Sequence, residues 1–79
     1  MNEETFKQVE SVFRKVFKRP DLLIRPEDTA ADIAGWDSLT HMTLINELEI
    51  FFKITFTFEE VTSFKNTGDL VKLVTQKIS

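Results

Sequence analysis

The sequence contains no cysteine, which excludes a disulfide framework and a thiolate zinc site and leaves no protein thiol for thioester chemistry. Long apolar runs are also missing: the longest are far too short to cross a bilayer, so no membrane span is expected. A basic start followed by an apolar stretch is absent too, because Glu3 and Glu4 stand behind Met1. No signal peptide is read there, and a cytoplasmic location is the expectation. With 79 residues, the chain is expected to form one domain, residues 1–79. A domain of this length buries only about 60% of the surface its unfolded form exposes. Side-chain packing alone must supply the core.

Positive charge is scarce after the first third of the chain. Residues 1–25 hold six basic and four acidic side chains, whereas residues 26–79 hold four and nine, for a net charge of −3. The acidic part would repel a polyanion, which argues against a nucleic-acid binder. The one basic cluster, Arg14, Lys15, Lys18 and Arg19, reads as cations complementing the macrodipole at a helix C-terminus, worth roughly 0.3–1 kcal/mol each.

Phe6, Val9, Val12, Phe13, Val16 and Phe17 recur at three- and four-residue intervals with polar residues between them, the pattern of an amphipathic helix from about Glu3 to Phe17. Pro20 ends it near Lys18. A long connection then reaches Trp36, with room for a short helical turn at Asp28–Asp32. Asp37 is a good N-cap for a second helix beginning at Ser38. On that helix Leu44, Leu48, Phe51 and Phe52 share an apolar arc, each worth roughly 1.5–3 kcal/mol when buried. Phe52, Ile54, Phe56 and Phe58 next alternate at the period of a strand. No second segment of that pattern exists to pair with them, so they predict an extended connector anchored by inward phenylalanines. Thr57 and Glu60 have capping-box spacing for a short helix around Phe58–Ser63, with Val61 and Phe64 available to the core. Asn66 or Thr67 caps a last helix with Leu70, Val71, Val74 and Ile78 as its stripe.

Among these elements the second helix start is chemically the most informative. Ser38 places a hydroxyl at the exposed head of a helix directly after a long loop, where unpaired amides and the macrodipole tolerate a phosphate ester. Ordinary capping also accounts for Asp followed by Ser, so the position alone does not assign a role. Beside it Leu39, Met42, Asn46 and Glu49 project clear of the Leu44–Leu48 face. Residues 27–60 hold eight acidic side chains against one basic, a charge that attracts basic patches and speeds encounter. His41 lies roughly 60 degrees round the helix from Ser38, with no carboxylate placed to orient it, and reads as a packed imidazole rather than a base. Glu47 and Glu49 point about 160 degrees apart, and no metal site is expected.

The stretch GWDSLTHMTLINELE resembles the modification-site helix of acyl carrier proteins. FKITF with the acidic helix start after it, and TGDLVKLV in the last helix, are similar to later landmarks of that family. The resemblance implies an all-α four-helix bundle with three main helices, a short third helix and a long loop between the first two. It implies a carrier rather than an enzyme. A phosphopantetheinyl transferase would move 4'-phosphopantetheine from coenzyme A onto Ser38, with Asp37 and Leu39 as motif neighbours. Leu39, Met42, Ile45, Glu49 and Val61 would face partners, namely acyl-transferring or condensing enzymes with basic docking patches. The missing thiol would thus arrive with the prosthetic group.

Thr40, His41 and Thr43 depart from the acids that carriers of general fatty-acid synthesis usually have early in this helix. Trp36 before the DSL motif resembles stand-alone carriers of polyketide or other specialised routes. An aminoacyl or D-alanyl carrier, and an unmodified helical interaction module, are the alternatives. A monomer is expected from the resemblance and from the lack of a second apolar face.

Overall fold

Capping chemistry and helical periodicity divide the chain into four helices, α1 (Glu3–Phe17), α2 (Ser38–Phe52), α3 (Phe58–Ser63) and α4 (Thr67–Ile78), in a computed structural model that describes residues 3–79. No strand occurs among the described residues. The three long helices bury Val9, Val12 and Phe13 of α1, Leu44 and Leu48 of α2, and Leu70, Val71 and Val74 of α4 in one core.

Helix α1 carries Glu3 and Glu4 in its first turn and Arg14 and Lys15 in its last, the order the macrodipole favours. Arg14 does more than the sequence expectation allowed. Its Nε donates to Leu22 O at 2.7 Å, and its guanidinium pairs with Glu10 at 3.2 Å. Glu10 in turn accepts from Ile24 N at 3.0 Å. Two polar side chains of α1 therefore hold the start of the long connection while Leu22 and Ile24 bury beside them. The turn expected at Asp28–Asp32 is present, closed by Asp32 N donating to Thr29 O at 2.9 Å.

The connection is fastened a second time, to α4. Thr67 N and Thr67 Oγ1 donate to Asp28 O at 2.8 and 3.1 Å, and Gly68 N donates to Pro26 O at 2.8 Å. The first amides of a helix have no internal partners; here the loop carbonyls take two of them, while Asn66 caps by accepting from Asp69 N. A Cβ on Gly68 would sit 3.0 Å from Pro26 O and 3.2 Å from Pro26 Cβ. Gly68→Ala is therefore expected to lower stability by about 1 kcal/mol despite the better helix propensity of alanine, because the new methyl pushes the clasp apart. A urea titration of the variant checks this.

Three apolar expectations fail. Phe51 is exposed, because the core arc of α2 ends with Leu48 and the Phe51 ring leans on Phe52, centroids 4.8 Å apart. Phe58 points outward, because α3 begins there and the two-residue alternation stops at buried Phe56. Ile78 is also exposed, at the last residue of α4. The extended connector at residues 54–57 needs no partner strand. Lys53 takes a left-handed conformation, φ 57°, at the end of α2, Ile54 N donates to Glu49 O, and Phe56 N donates to the Glu49 carboxylate at 2.9 Å. Thr57 and Glu60 form the expected capping box for α3, and Glu60 also pairs with Lys77 of α4 at 2.8 Å.

Candidate functional site

The segment before α2 is fixed from beneath by aromatic packing. Trp36 sets its indole edge-on against Phe13 at 5.4 Å and against Phe17 at 6.2 Å. Gly35, at φ 89°, makes the bend that precedes it, a conformation glycine reaches without strain. Asp37 then caps α2: its carboxylate accepts from Thr40 N at 2.9 Å, while Thr40 Oγ1 accepts from Asp37 N at 2.8 Å and lies 2.7 Å from Gly35 O. The hydrogen bond from the Thr40 backbone, followed by that of its hydroxyl, holds the Asp37 carboxyl below the ordinary aspartate value. Its contribution is therefore complete above that ordinary value and is lost only as pH falls through the lowered one.

Ser38, the first residue of α2, is exposed. With Asp37 and Thr40 satisfying each other, the Ser38 hydroxyl has no hydrogen-bond partner among the described residues. Around it stand three exposed apolar side chains: Leu39, 77% exposed, Met42, 54%, and Phe58, 81%. Leu39 and Met42 are where the sequence placed them. Phe58 is an addition that the two-residue alternation concealed.

A groove of about 430 Å³ opens at Ser38 and runs between α2 and the connector with α3; Met42, Ile45, Phe56, Phe58 and Val61 line it. Ile45 and Val61, expected to face partners, are only 3% and 8% exposed and belong to the core. They form the inner wall of the groove because the connector and α3 cover a second side of α2, away from α1. Glu49 is half-buried and its carboxylate is engaged by Phe56 N, so it closes the far end of the groove rather than projecting to a partner. Of the residues assigned to partner contact, Leu39 and Met42 alone are exposed.

His41 is half-buried between Trp36 and Phe64, packed rather than catalytic. Glu47 pairs with Lys15 at 3.2 Å, away from Glu49, and no cluster of metal-ligating side chains occurs among the described residues. No helix among them is long and apolar enough to cross a membrane.

A family model described as "Phosphopantetheine attachment site" matches residues 7–74. The chain belongs to that family: it is a phosphopantetheine carrier of the acyl carrier type, not an enzyme, and its prosthetic group is covalently attached 4'-phosphopantetheine. A solved structure of a holo acyl carrier protein from Geobacter metallireducens is similar to it at 42% identity and a TM-score of 0.88, over 94% of this chain and 85% of that one. Comparison with curated proteins finds no match. The observed all-helical fold is the one that the family likeness implied.

Proposed function

We propose that residues 1–79 form one acyl carrier domain, that Ser38 bears the 4'-phosphopantetheine, and that the cargo is an acyl intermediate of fatty-acid, polyketide or related specialised synthesis. The observation that carries this reading is the unengaged Ser38 hydroxyl at the head of α2, at the mouth of an apolar groove. A phosphodiester fits there. The oxygen is accessible, and the start of a fifteen-residue helix favours negative charge. In the transfer, Ser38 Oγ bonds to phosphorus as the pyrophosphate bond of coenzyme A breaks, adenosine 3',5'-bisphosphate leaves, and the hydroxyl proton passes to a base of the transferase. The arm supplies a terminal thiol for thioesters.

Leu39, Met42 and Phe58 form the apolar centre of the surface offered to partners, with Glu59 exposed at its edge. The partners are a phosphopantetheinyl transferase and acyl-transferring or condensing enzymes carrying basic patches, met in the cytoplasm. The apolar lining of the groove favours a hydrocarbon acyl group over the charged ammonium of an aminoacyl cargo. Thr40 and His41, which stand where general fatty-acid carriers usually have acids, are both committed to internal bonds, and this favours a specialised pathway. Incubating the protein with coenzyme A and a broad-specificity transferase is expected to add one phosphopantetheine, located by peptide mapping on the fragment containing Ser38. Unmodified protein, or modification on another fragment, would overturn the assignment.

A further inference from the structure

The ring of His41, the single histidine of the sequence, is held at both nitrogens. An indole N–H donates and never accepts. Trp36 Nε1 lies 3.1 Å from His41 Nδ1, so Nδ1 presents a lone pair and the neutral ring carries its proton on Nε2. Nε2 lies 3.0 Å from the carbonyl oxygen of Val61. A single tautomer thus serves both bonds. The ring also lies nearly parallel to Trp36, with 20° between planes and centroids 6.0 Å apart, and tilts against Phe64 at 5.2 Å.

What the second bond reaches gives it consequence. Helix α3 has six residues, far fewer than an isolated helix needs to persist. Val61 lies in its last turn, where carbonyls have no partner inside the helix. His41 supplies one from α2, so the imidazole ties the short helix to the long one. The ring also lines two hollows that both reach Ser38. One is the groove between α2 and α3. The other, about 270 Å³, lies on the loop side among Ala30, Trp36 and Asp37. The imidazole stands between them as a partition, locked in place by Trp36, whose own ring is wedged on Phe13 and Phe17.

We propose that His41 is a positioning residue of the carrier: by bridging Trp36 and Val61 it sets the spacing of α3 from α2, and hence the width of the groove, and it shuts the loop-side hollow to the cargo. The second part rests on Ser38 being the attachment point; the first does not. Three variants separate the bonds. His41→Gln extends an amide towards Val61 and gives up the acceptor for Trp36. His41→Asn keeps an acceptor near Trp36 and falls short of Val61. His41→Phe keeps a ring and loses both bonds.

In the unmodified wild-type protein, nitrogen NMR of His41 is expected to show the proton on Nε2, with a hydrogen-bonded Trp36 indole resonance. The Val61 amide, bonded to Thr57 O at 3.0 Å, is expected to exchange roughly fivefold faster in His41→Phe and His41→Asn than in wild type, the worth of about one hydrogen bond. His41→Gln should keep the slow exchange and lose the indole signature. After loading with phosphopantetheine and an octanoyl group, chemical-shift changes should fall on Ile45 and Val61 in the wild type and spread to Ala30 in His41→Phe. A proton on Nδ1, or equal Val61 exchange in wild type and His41→Phe, would overturn the bridge. Octanoyl shifts unchanged by His41→Phe would overturn the partition. A protein that cannot be loaded at all would instead refute the attachment at Ser38 and leave the bridge to be judged on the unmodified chain. If His41→Phe fails to fold, the Gln and Asn pair still gives opposite outcomes for the two bonds.

Discussion

Ser38→Ala is expected to remain unmodified after incubation with coenzyme A and a phosphopantetheinyl transferase, while its unfolding free energy from a urea titration stays within about 0.5 kcal/mol of wild type. Both halves of that result follow from the same geometry. The Ser38 hydroxyl is exposed and bonds to nothing among the described residues, so its removal leaves no buried partner unsatisfied. Alanine is a better helix former than serine, and the cap of α2 depends on Asp37 and Thr40 rather than on Ser38. Among the described residues, the hydroxyls near Ser38 on α2 and in its groove are all engaged, Thr62 donating to Phe58 O and Glu59 O. Thr40 Oγ1 is bound within the cap and Thr43 Oγ1 donates back to Leu39 O at 3.1 Å. Intact mass before and after incubation reads the loss of modification. A Ser38→Ala protein that still gained the group would move the attachment site elsewhere and leave the serine without a role.

The second large effect is structural. Phe13→Ala is expected to destabilise the domain by about 3–5 kcal/mol, the usual cost of deleting a fully enclosed phenyl ring. Phe13 is fully buried, and its ring touches both Phe17 and Trp36. The cavity would open directly beneath the turn that presents Ser38. Domains are commonly stable by only about 5–15 kcal/mol, so the variant should sit close to unfolding at room temperature. Urea titration measures the loss. The rate of modification should fall with the folded fraction, whereas Ser38→Ala is expected to abolish modification in a protein that stays folded. The pair of variants thereby separates a chemical role from a structural one.

The starts of α2, α3 and α4 were legible because each carries its own signal. Asp37, Thr57 and Asn66 all act as N-caps, with side chains accepting from amides in the first turn. The Ser38 setting was legible for the same reason. The depth of individual side chains was not. Periodicity tells which residues share a face, but not how many neighbours cover that face. The family resemblance puts Ile45 and Val61 at the partner face, while the pattern of α3 offers Val61 to the core; the connector and α3 bury both through contacts distant in sequence. Phe58 reads as inward when the two-residue alternation is carried through it, but α3 begins at Phe58 and turns the ring outward. Glu49 looked free because nothing local announces that its carboxylate will answer the amide of Phe56, seven residues ahead. The bond between Trp36 and His41 was likewise hidden: the two are five residues apart across a cap whose bend only the backbone reveals.

The fastening of residues 26 and 28 to residues 67 and 68 bears on how the protein is made. These hydrogen bonds join parts of the chain about forty residues apart, and their donors lie in the last quarter of the sequence. On the ribosome, the loop that leads to Ser38 lacks its outer anchor until Gly68 has emerged. A shorter nascent chain lacks these hydrogen bonds, so the loop before α2 gains its second anchor only with the first turn of α4.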